Sequence, residues 1–455
     1  MAPNSEKELG NGLSLRWSTE DDKEKIAHLL GMVFRENADE PFSAAMADWA
    51  ALCARDDFPF SGPNDWAIVE DHNKPESPVV ACTCLWSHQW RYADIPIGVG
   101  RPEFVATDPD YRNRGLIRAI FDLLHERSQA NGDLVQAITG IPYFYRQFGY
   151  EYVLDLGGRR TIQTAQIPTA NKNESESCSI RVAEPDDIPT IMRLYAQGRQ
   201  NSLLWHEANE AYWTLMVNFW EEPETKSRSP FDFDWSNRVY MILDGSNQVC
   251  GHIIFSAVRH GKSVTVRQLM LEPGINLYRL YPSLLRTVQQ IGEALPCNKP
   301  DVPLSEIELR LGRSHPMYEM LGLTSATLEE TPYAWYIRMP DVPAFIRKIC
   351  PILEDRLARS SMAGHTGELK VALYKSGLLM QFKEGKLVSV EPWRPALYEN
   401  PNAGCPPLVF LQLLLGYRSL TELRKIFPDV WARKEANLLL NVLFPKVRST
   451  VFALA

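Results

Sequence analysis

Residues Phe104–Ile117 decide the fold of the first part of the chain, and they read FVATDPDYRNRGLI. The run up to Thr107 predicts a strand, which ends at the polar turn around Pro109. Gly115 then precedes a helix with apolar residues at three- and four-residue spacing, namely Ile117, Ile120, Phe121 and Leu124. A strand, a tight turn and a helix start direct several unpaired backbone N–H groups into one concavity. Such a concavity is an anion site suited to a pyrophosphate.

Three arginines surround this turn. Arg112 and Arg114 lie just before the helix, and Arg118 lies one turn into it. Guanidinium groups bind phosphate oxygens through charge-assisted hydrogen bonds, so they favour the interpretation of this turn as an anion site.

An internal repeat indicates how the chain is organised. Leu15–Asp22 (LRWSTEDD) recurs as Ile180–Asp187 (IRVAEPDD), and Tyr145–Tyr150 (YRQFGY) corresponds to Tyr318–Leu323 (YEMLGL). The beginning and the end of each unit are thus separated by nearly the same length. This spacing predicts a duplicated α+β domain of about 160 residues.

The last part of the chain has a different pattern. Short strand-like runs are separated by Lys375–Gly377 and by Glu384 and Gly385, which are typical of hairpin turns. Two apolar runs, Leu408–Leu415 and Glu435–Leu443, then predict helices. We therefore expect a third α+β domain.

The composition limits the possible partners. The 455 residues are 45% hydrophobic and 23% charged, with a net charge of -8, so we expect globular domains and no nucleic-acid partner. No apolar run approaches the ~20 residues that span a bilayer, and the polar N-terminus does not resemble a signal peptide. We therefore expect a cytoplasmic protein without a membrane partner. The eight cysteines and nine histidines lack the spacing of a metal site, so no metal is expected.

The stretch from Val105 to Gly115 resembles motif A of the GCN5-related N-acetyltransferase (GNAT) family, Arg/Gln-x-x-Gly-x-Gly/Ala. Ile117 stands where that family has Gly or Ala. The two units, the segment Gly140–Tyr150 and the segment Arg338–Phe345 together resemble the enhanced intracellular survival (Eis) acetyltransferases. In that subfamily a larger apolar residue often occupies the Ile117 position.

This resemblance implies an α+β fold class with tandem GNAT folds, each a mixed β-sheet flanked by helices, and then a sterol-carrier-protein-like α+β domain. The segment Leu269–Leu277 of the second unit lacks an Arg-x-x-Gly, so we expect that unit to be degenerate and its Tyr318 to be a packing residue. The expected division is a catalytic GNAT domain at 1–163, a linker at 164–179, a degenerate GNAT-like domain at 180–339, and a sterol-carrier-protein-like domain at 340–455.

The resemblance also implies acetyl-CoA as co-substrate. Backbone amides of motif A hold its pyrophosphate in the family, and a splayed strand binds the pantetheine arm. The cofactor-binding residues implied here are Val105, Ala106, Thr107, Arg112, Asn113, Arg114, Gly115, Leu116, Ile117, Arg118, Gly140 and Ile141.

Two catalytic groups follow from the same resemblance. Tyr145 matches the tyrosine that donates a proton to the departing CoA thiolate, although an aromatic residue at this point can also simply pack. The family's proton acceptor is the C-terminal carboxylate, which belongs to Ala455 in this chain. The tail Val451–Ala455 is apolar and can be buried, whereas disordered termini are usually polar.

The implied function is transfer of an acetyl group to a primary amine by direct attack on the thioester. An aminoglycoside, a polyamine-like molecule, an amino acid or a lysine side chain remains open as the acceptor. The resemblance further implies a homo-hexamer. The alternative is a non-catalytic protein that binds a lipid or an acyl-CoA through the sterol-carrier-like domain.

Overall fold

The computed structural model describes residues 6–35, 39, 42–75, 79–170, 175–233, 235–325, 328–396 and 399–453. Within these ranges three β-sheets of nine, seven and five strands organise the chain, and helices pack on their faces. The architecture is therefore mixed α+β, as the sequence predicts. No helix in the described ranges combines the length and the apolarity that crossing a membrane requires.

The elements of the first segment are β1 (Lys7–Gly10), β2 (Leu13–Trp17), α1 (Lys23–Val33), α2 (Ala44–Cys53), β3 (Trp66–Asp71), β4 (Val79–Tyr92), β5 (Ile95–Thr107), α3 (Leu116–Ala130), β6 (Val135–Ile138), β7 (Glu151–Leu156) and β8 (Arg159–Gln163). Short 3-10 helices at Pro109–Tyr111 and Phe144–Phe148 join some of them.

The second segment contains β9 (Cys178–Val182), α4 (Ile188–Gln197), β10 (Leu204–Glu207), α5 (Glu210–Asn218), α6 (Pro223–Lys226), β11 (Asn237–Asp244), β12 (Val249–Ser256), β13 (Ser263–Leu271), α7 (Leu277–Ala294), β14 (Glu306–Leu309), α8 (Met317–Ser325), β15 (Leu328–Glu330) and β16 (Tyr333–Arg338). The third contains α9 (Val342–Lys348), α10 (Cys350–Ala358), β17 (Gly367–Leu373), β18 (Ser376–Lys383), β19 (Lys386–Trp393), β20 (Ala403–Gly404), α11 (Pro407–Leu414), α12 (Leu420–Ile426), β21 (Trp431–Ala432) and α13 (Lys434–Leu443).

The first two sheets exchange strands. The first sheet has the order β1-β2-β3-β4-β5-β6-β16-β7, and β10 also pairs with β4. Strand β16, which follows the second sheet in the chain, thus lies between β6 and β7. In return, β8 lies between β14 and β15 of the second sheet. The sequence analysis did not predict this exchange.

The repeat found in the sequence forms the same local structure twice. Arg16 donates two hydrogen bonds to Asp22, at 2.7 and 2.8 Å. Arg181 donates two to Asp187, at 2.6 and 2.8 Å. Both aspartates also accept a backbone N–H at the start of the following helix, which satisfies a donor that the helix itself leaves open.

Two apolar cores join the segments. One contains Trp90 and Trp335 of the first sheet together with Phe345 and Phe410 of the third segment. The other joins the first segment, through Trp66 and Trp86 among others, to the second segment, and both tryptophans are fully buried. Because each core draws on more than one segment, burial of apolar surface stabilises the packing of the segments on one another.

Buried histidines make the stability of this fold sensitive to acid. Burial lowers the pKa of four of them, to about 4 for His252 and His315 and to about 3 for His125 and His206. In an unfolded chain a histidine has a pKa of about 6.5, so the unfolded state binds protons first as the pH falls. The free energy of unfolding should therefore be highest above pH ~6.5 and decrease below it.

We expect His252→Gln to reduce this pH dependence. His252 is fully buried, and its Nε2 pairs with Gln268 at 2.7 Å. Each such histidine contributes a slope of about 1.4 kcal/mol per pH unit between its two pKa values. Urea midpoints at pH 7, 6 and 5 measure the slope, and His28→Gln, at an exposed position, is the control. Equal slopes for both variants would contradict a contribution of His252 to the pH dependence of the free energy of unfolding.

Candidate active site

A gap between two parallel strands lies at the centre of the first sheet. In the described chain, the ladder between β5 and β6 consists of Val99 with Val135 and Gly100 with Gln136. Strand β5 then continues as far as Thr107, where its other edge pairs with β4. Past Gly100, the edge of β5 that faces β6 is therefore available to hydrogen-bond an extended ligand.

The predicted residues Val105, Ala106 and Thr107 form the end of β5 beyond this gap. Phe104 and Val105 form a β-bulge opposite Thr83, and Phe104 has a positive φ of 55°. The bulge turns the strand locally, and Phe104 itself is buried.

The turn between β5 and α3 is tied to the sheet by its own side chains. The Asp108 carboxylate accepts a hydrogen bond from the Asp110 N–H at 2.9 Å. Tyr111 is buried, and its hydroxyl donates to Asp71 at the end of β3. Lys74 and Arg114 lie over the Tyr111 ring at 4.8 and 4.7 Å. These contacts fix the position at which α3 begins.

The start of α3 is open. Asn113 and Gly115 have positive φ values of 63° and 77°, which turns the backbone into the helix. Among the described residues, no side chain caps this end of α3, and a Cβ built on Gly115 would meet nothing within 4 Å. The first-turn N–H groups, including those of Leu116 and Ile117, have no acceptor within the helix. The N-terminus of α3 is therefore ready to bind an anion.

The corresponding turn of the second segment is closed. The side chain of Asn276 caps α7 by accepting the N–H of Arg279 at 3.2 Å. Tyr318 is buried, donates its hydroxyl to the Leu309 carbonyl at 2.8 Å and accepts the Leu311 N–H at 3.1 Å. The Tyr318 contacts are those of a packing residue, and the α7 helix start beside it already has one of its N–H donors capped.

The arginines that the sequence analysis selected surround the open turn. Arg112, Arg114 and Arg118 are all exposed. Arg114 donates to the Asp110 carbonyl at 2.8 Å, and Arg118 donates to the Gln147 side chain at 3.0 Å. The second contact links the start of α3 to the 3-10 helix that carries Tyr145.

Tyr145 lies beside α3. It is buried, and its ring stacks on Phe121 with centroids 5.9 Å apart. A Cβ built on Gly140 would lie 3.3 Å from the Tyr145 hydroxyl, so this predicted glycine, with a φ of 126°, is in close contact with the phenol. Burial raises the pKa of Tyr145 well above its usual value, and the negative charge of Glu103 adds to the rise. The hydroxyl is therefore protonated at neutral pH.

Strand β16 holds the loop that precedes Tyr145. Tyr333 donates to the Gly140 carbonyl, and Tyr336 donates to the Ile141 carbonyl at 3.1 Å. The Tyr143 N–H donates to the Tyr336 hydroxyl at 2.6 Å. The side chain of Ile141 is exposed. The sequence analysis missed both tyrosines, because they lie about 190 residues from the loop, and their local pattern is that of an ordinary strand.

The sequence analysis also missed Glu103, an acidic residue that directly precedes Phe104. It pairs with the buried Arg101 at 2.5 Å. The Arg101 guanidinium lies over the rings of Trp86 and Trp335, at 4.9 and 4.8 Å. Glu103 lies near enough for its negative charge to act on Tyr145, and a carboxylate is a residue type that serves as a catalytic acid or base.

A cavity of about 410 Å³ lies between the first two segments. The tail 448–453 lines one side of it, and the Val451 carbonyl accepts a hydrogen bond from Trp335 Nε1 at 3.1 Å. Trp49 lines another side and contacts Phe104 edge-on at 4.9 Å, so the cavity adjoins the bulge of β5. Ala455, which the sequence analysis selected as proton acceptor, lies outside the described residues.

Residues 14–153 match the family model described as an acetyltransferase (GNAT) domain. The first segment therefore carries a GNAT-type acetyltransferase domain. No curated protein shows significant sequence similarity to the chain.

Solved structures share the fold along nearly the whole chain. A GCN5-related N-acetyltransferase from Kribbella flavida is 17% identical, with 96% of this chain and 97% of that chain covered and a TM-score of 0.64. A probable N-acyltransferase from Enterococcus faecalis V583 is 12% identical, with 97% and 99% covered and a TM-score of 0.67. Eis1 from Mycobacterium abscessus is 12% identical, with 97% and 99% covered and a TM-score of 0.57. At these identities the likeness shows the fold, and it confirms the predicted fold class.

We expect Gly115→Val to abolish acetyl-CoA binding. The new side chain would occupy the open space in front of the free N–H groups, and a β-branched residue is strained at a φ of 77°. Loss of two charge-assisted hydrogen bonds costs about 3 kcal/mol or more, which is over a hundredfold in Kd. Calorimetric titration with acetyl-CoA measures the change.

Gly132→Val is the matched control. Gly132 follows the other end of α3, has a φ of 83° and also faces open space. It should suffer similar backbone strain and keep its affinity for acetyl-CoA. If both variants bound equally well, the anion site would not lie at Gly115.

Proposed function

We propose that this protein is an acetyl-CoA-dependent N-acetyltransferase that acts on a primary amine. The observation that carries the proposal is the open N-terminus of α3 beside the gap of β5, with Tyr145 packed on the same helix. The second segment contains a similar turn without an open helix end, so the open end is a specific feature of the first segment.

The pyrophosphate of acetyl-CoA would bind to the backbone N–H groups from Gly115 to Arg118, and exposed Arg112 and Arg114 would add positive charge. The pantetheine arm would hydrogen-bond to the free edge of β5 at Val105, Ala106 and Thr107. Gly140 and Ile141 would face the thioester, since Gly140 adjoins the Tyr145 hydroxyl.

In the proposed reaction the amine nitrogen attacks the thioester carbonyl, a C–N bond forms, and the C–S bond breaks. The amine loses one proton to a base, and Tyr145 donates one to the departing thiolate. The raised pKa of Tyr145 keeps its proton available at neutral pH, and the restraint of its ring by Phe121 provides the positioning that this transfer needs.

We assign the proton acceptor to the C-terminal carboxylate of Ala455. The support is the course of the tail, because Ala453 lines the cavity and Val451 is buried against Trp335. The two residues that follow Ala453 in the sequence can extend at most about 7 Å from it. Glu103 is the second candidate, but its carboxylate is already engaged in an ion pair with Arg101.

The division into residues 1–163, 164–179, 180–339 and 340–455 is also proposed, with a duplicated GNAT fold in the first two domains. The paired Arg16–Asp22 and Arg181–Asp187 contacts support the duplication. A sterol-carrier-like third domain and a homo-hexamer follow from the resemblance to the Eis acetyltransferases, and a cytoplasmic location follows from the sequence pattern; all three remain predictions.

A lipid- or acyl-CoA-binding protein without catalysis is the alternative. That function needs a tunnel lined by the apolar helices of the third domain. The leucines of α11 and α13, including Leu411, Leu414 and Leu440, are instead buried in the core shared with the first sheet. We therefore favour the enzyme.

Tyr145→Phe should lower kcat without weakening acetyl-CoA binding. The change removes a proton donor and keeps the stacked ring, and loss of general acid catalysis costs about 10²–10⁴-fold. Amine-dependent release of free thiol over a broad panel of amines measures turnover. Tyr143→Phe, at an exposed neighbouring tyrosine, is the control. Thiol release by wild type with none of the amines would favour the lipid-binding alternative.

Extending the chain beyond Ala455 should abolish turnover, whereas Ala455→Gly should retain it. The extension removes the carboxylate from that position, while the glycine keeps it at the same chain length. An equal extension before Met1 should have no effect. Full activity after the C-terminal extension, together with loss of activity in Glu103→Gln, would assign the base to Glu103.

A further inference from the structure

The cavity beside the tail has an unusual distribution of charge. Among its lining residues, four are arginines and one is acidic; they are Arg267, Arg310, Arg313, Arg448 and Asp155. A cationic acceptor would enter this cavity against four guanidinium groups. An acceptor with a negative charge would be attracted.

The pairing of these arginines leaves part of the positive charge unbalanced. Arg313 pairs with Asp155 at 3.2 Å, and Asp155 is the acidic side chain among the described lining residues. Arg310 contacts Glu308 only at 3.5 Å, and Glu308 also pairs with Arg159 at 2.8 Å.

Arg267 is the least compensated of the four. Its Nε is buried, and no described residue accepts a hydrogen bond from it. Burial and the positive charge of Arg310 together lower its pKa to about 10. The group is still charged at neutral pH, and the negative charge that acts on it comes from Glu308, which also pairs with Arg159 and Arg310. Within the described residues, a bound anion would therefore compensate the Arg267 charge further.

The position of these arginines in the second sheet is specific. Strands β13 and β14 pair from Ser263 with Glu306 to Val266 with Leu309. Arg267 and Arg310 are the next residues on the two strands, where the ladder ends. In the first sheet, the end of the parallel β5–β6 ladder leaves a free strand edge. In the second sheet, the end of the parallel β13–β14 ladder carries two guanidinium groups.

The cavity also reaches the cofactor strand. Trp49 stacks on Trp235 at 5.7 Å, and both line the cavity. Trp49 contacts Phe104, the residue before Val105, edge-on. A molecule in the cavity thus has an aromatic wall toward β5 and a basic wall on the second sheet.

We propose that this cavity is the acceptor subsite and that the acceptor is a primary amine bearing a carboxylate or phosphate, held by Arg267 and Arg310. This inference rests on the proposed acetyltransferase function. It selects amino acids or phosphorylated amines over aminoglycosides and polyamines. It also gives the second segment a part in binding, since its sheet supplies both arginines.

Matched pairs of acceptors test the proposal on the full chain. ω-Amino acids of increasing length are compared with their carboxamides, and glucosamine 6-phosphate is compared with glucosamine. The anionic member of a pair should have a kcat/KM at least about tenfold higher, as expected for a charge-assisted bidentate contact. The amino-acid pairs test for a carboxylate, and the glucosamine pair tests for a phosphate. The series of amino-acid lengths reports the distance between amine and anion that the site prefers.

Arg267→Gln and Arg310→Gln should each remove this preference by raising KM for the anionic amine. The KM for the neutral partner and the Kd for acetyl-CoA should stay unchanged. Arg193→Gln is the control, because Arg193 is exposed and pairs with Glu272 outside the cavity. Equal or better turnover of neutral and cationic amines by wild type would overturn the proposal.

Binding of unreactive anions separates this proposal from the proposed function. Succinate and inorganic phosphate should change the fluorescence of the Trp49 and Trp235 pair, and Arg267→Gln should weaken this binding about tenfold. If no amine is acetylated and the anions still bind through Arg267, the acetyltransferase function fails while the anion site stands. If amines are acetylated and neither anion binds, the anion site is wrong.

Discussion

Strand β16 (Tyr333–Arg338) hydrogen-bonds on both edges within the first sheet, although it follows the second sheet in the chain. With β8 placed in the second sheet in return, the two sheets cannot separate without breaking ladders on both sides of each exchanged strand. The relative position of the sheets is fixed by backbone hydrogen bonds as well as by the shared apolar core. The cavity between them owes its shape to this constraint.

The same strand connects the two halves of the candidate site. Side chains alternate across a strand, so Trp335 and Tyr336 face opposite sides of the sheet. Tyr336 binds the loop at Ile141 that leads to Tyr145, and Trp335 binds the carbonyl of Val451 in the tail. Trp335 and Tyr336 thus contact both the tail that leads to the proposed proton acceptor and the loop that leads to the proposed proton donor, Tyr145. Precise positioning of this kind is what proton transfer during catalysis requires.

The two units of the sequence repeat differ at the start of the helix that follows the paired strands. In the first, α3 begins without a side-chain cap, and its N–H groups stay available to a ligand. In the second, Asn276 caps α7, and the end of the β13–β14 ladder carries Arg267 and Arg310. In the proposed assignment the first binds an anion through backbone dipoles and the second through full side-chain charges. The division matches a reaction with a pyrophosphate-bearing co-substrate and a separate acceptor.

The sequence by itself determined the features whose partners are close along the chain. The turn at Phe104–Ile117 follows from Pro109 and Gly115, and the repeated Arg16–Asp22 and Arg181–Asp187 contacts each span six residues. Only the tertiary structure decided the strand exchange, the hold of β16 on the Tyr145 loop and the basic cavity. Tyr143 meets Tyr336 across 193 residues, and Trp335 meets Val451 across 116. Local periodicity records which face of a strand is buried, but it does not record which distant strand lies beside it, because that depends on how the sheets pack.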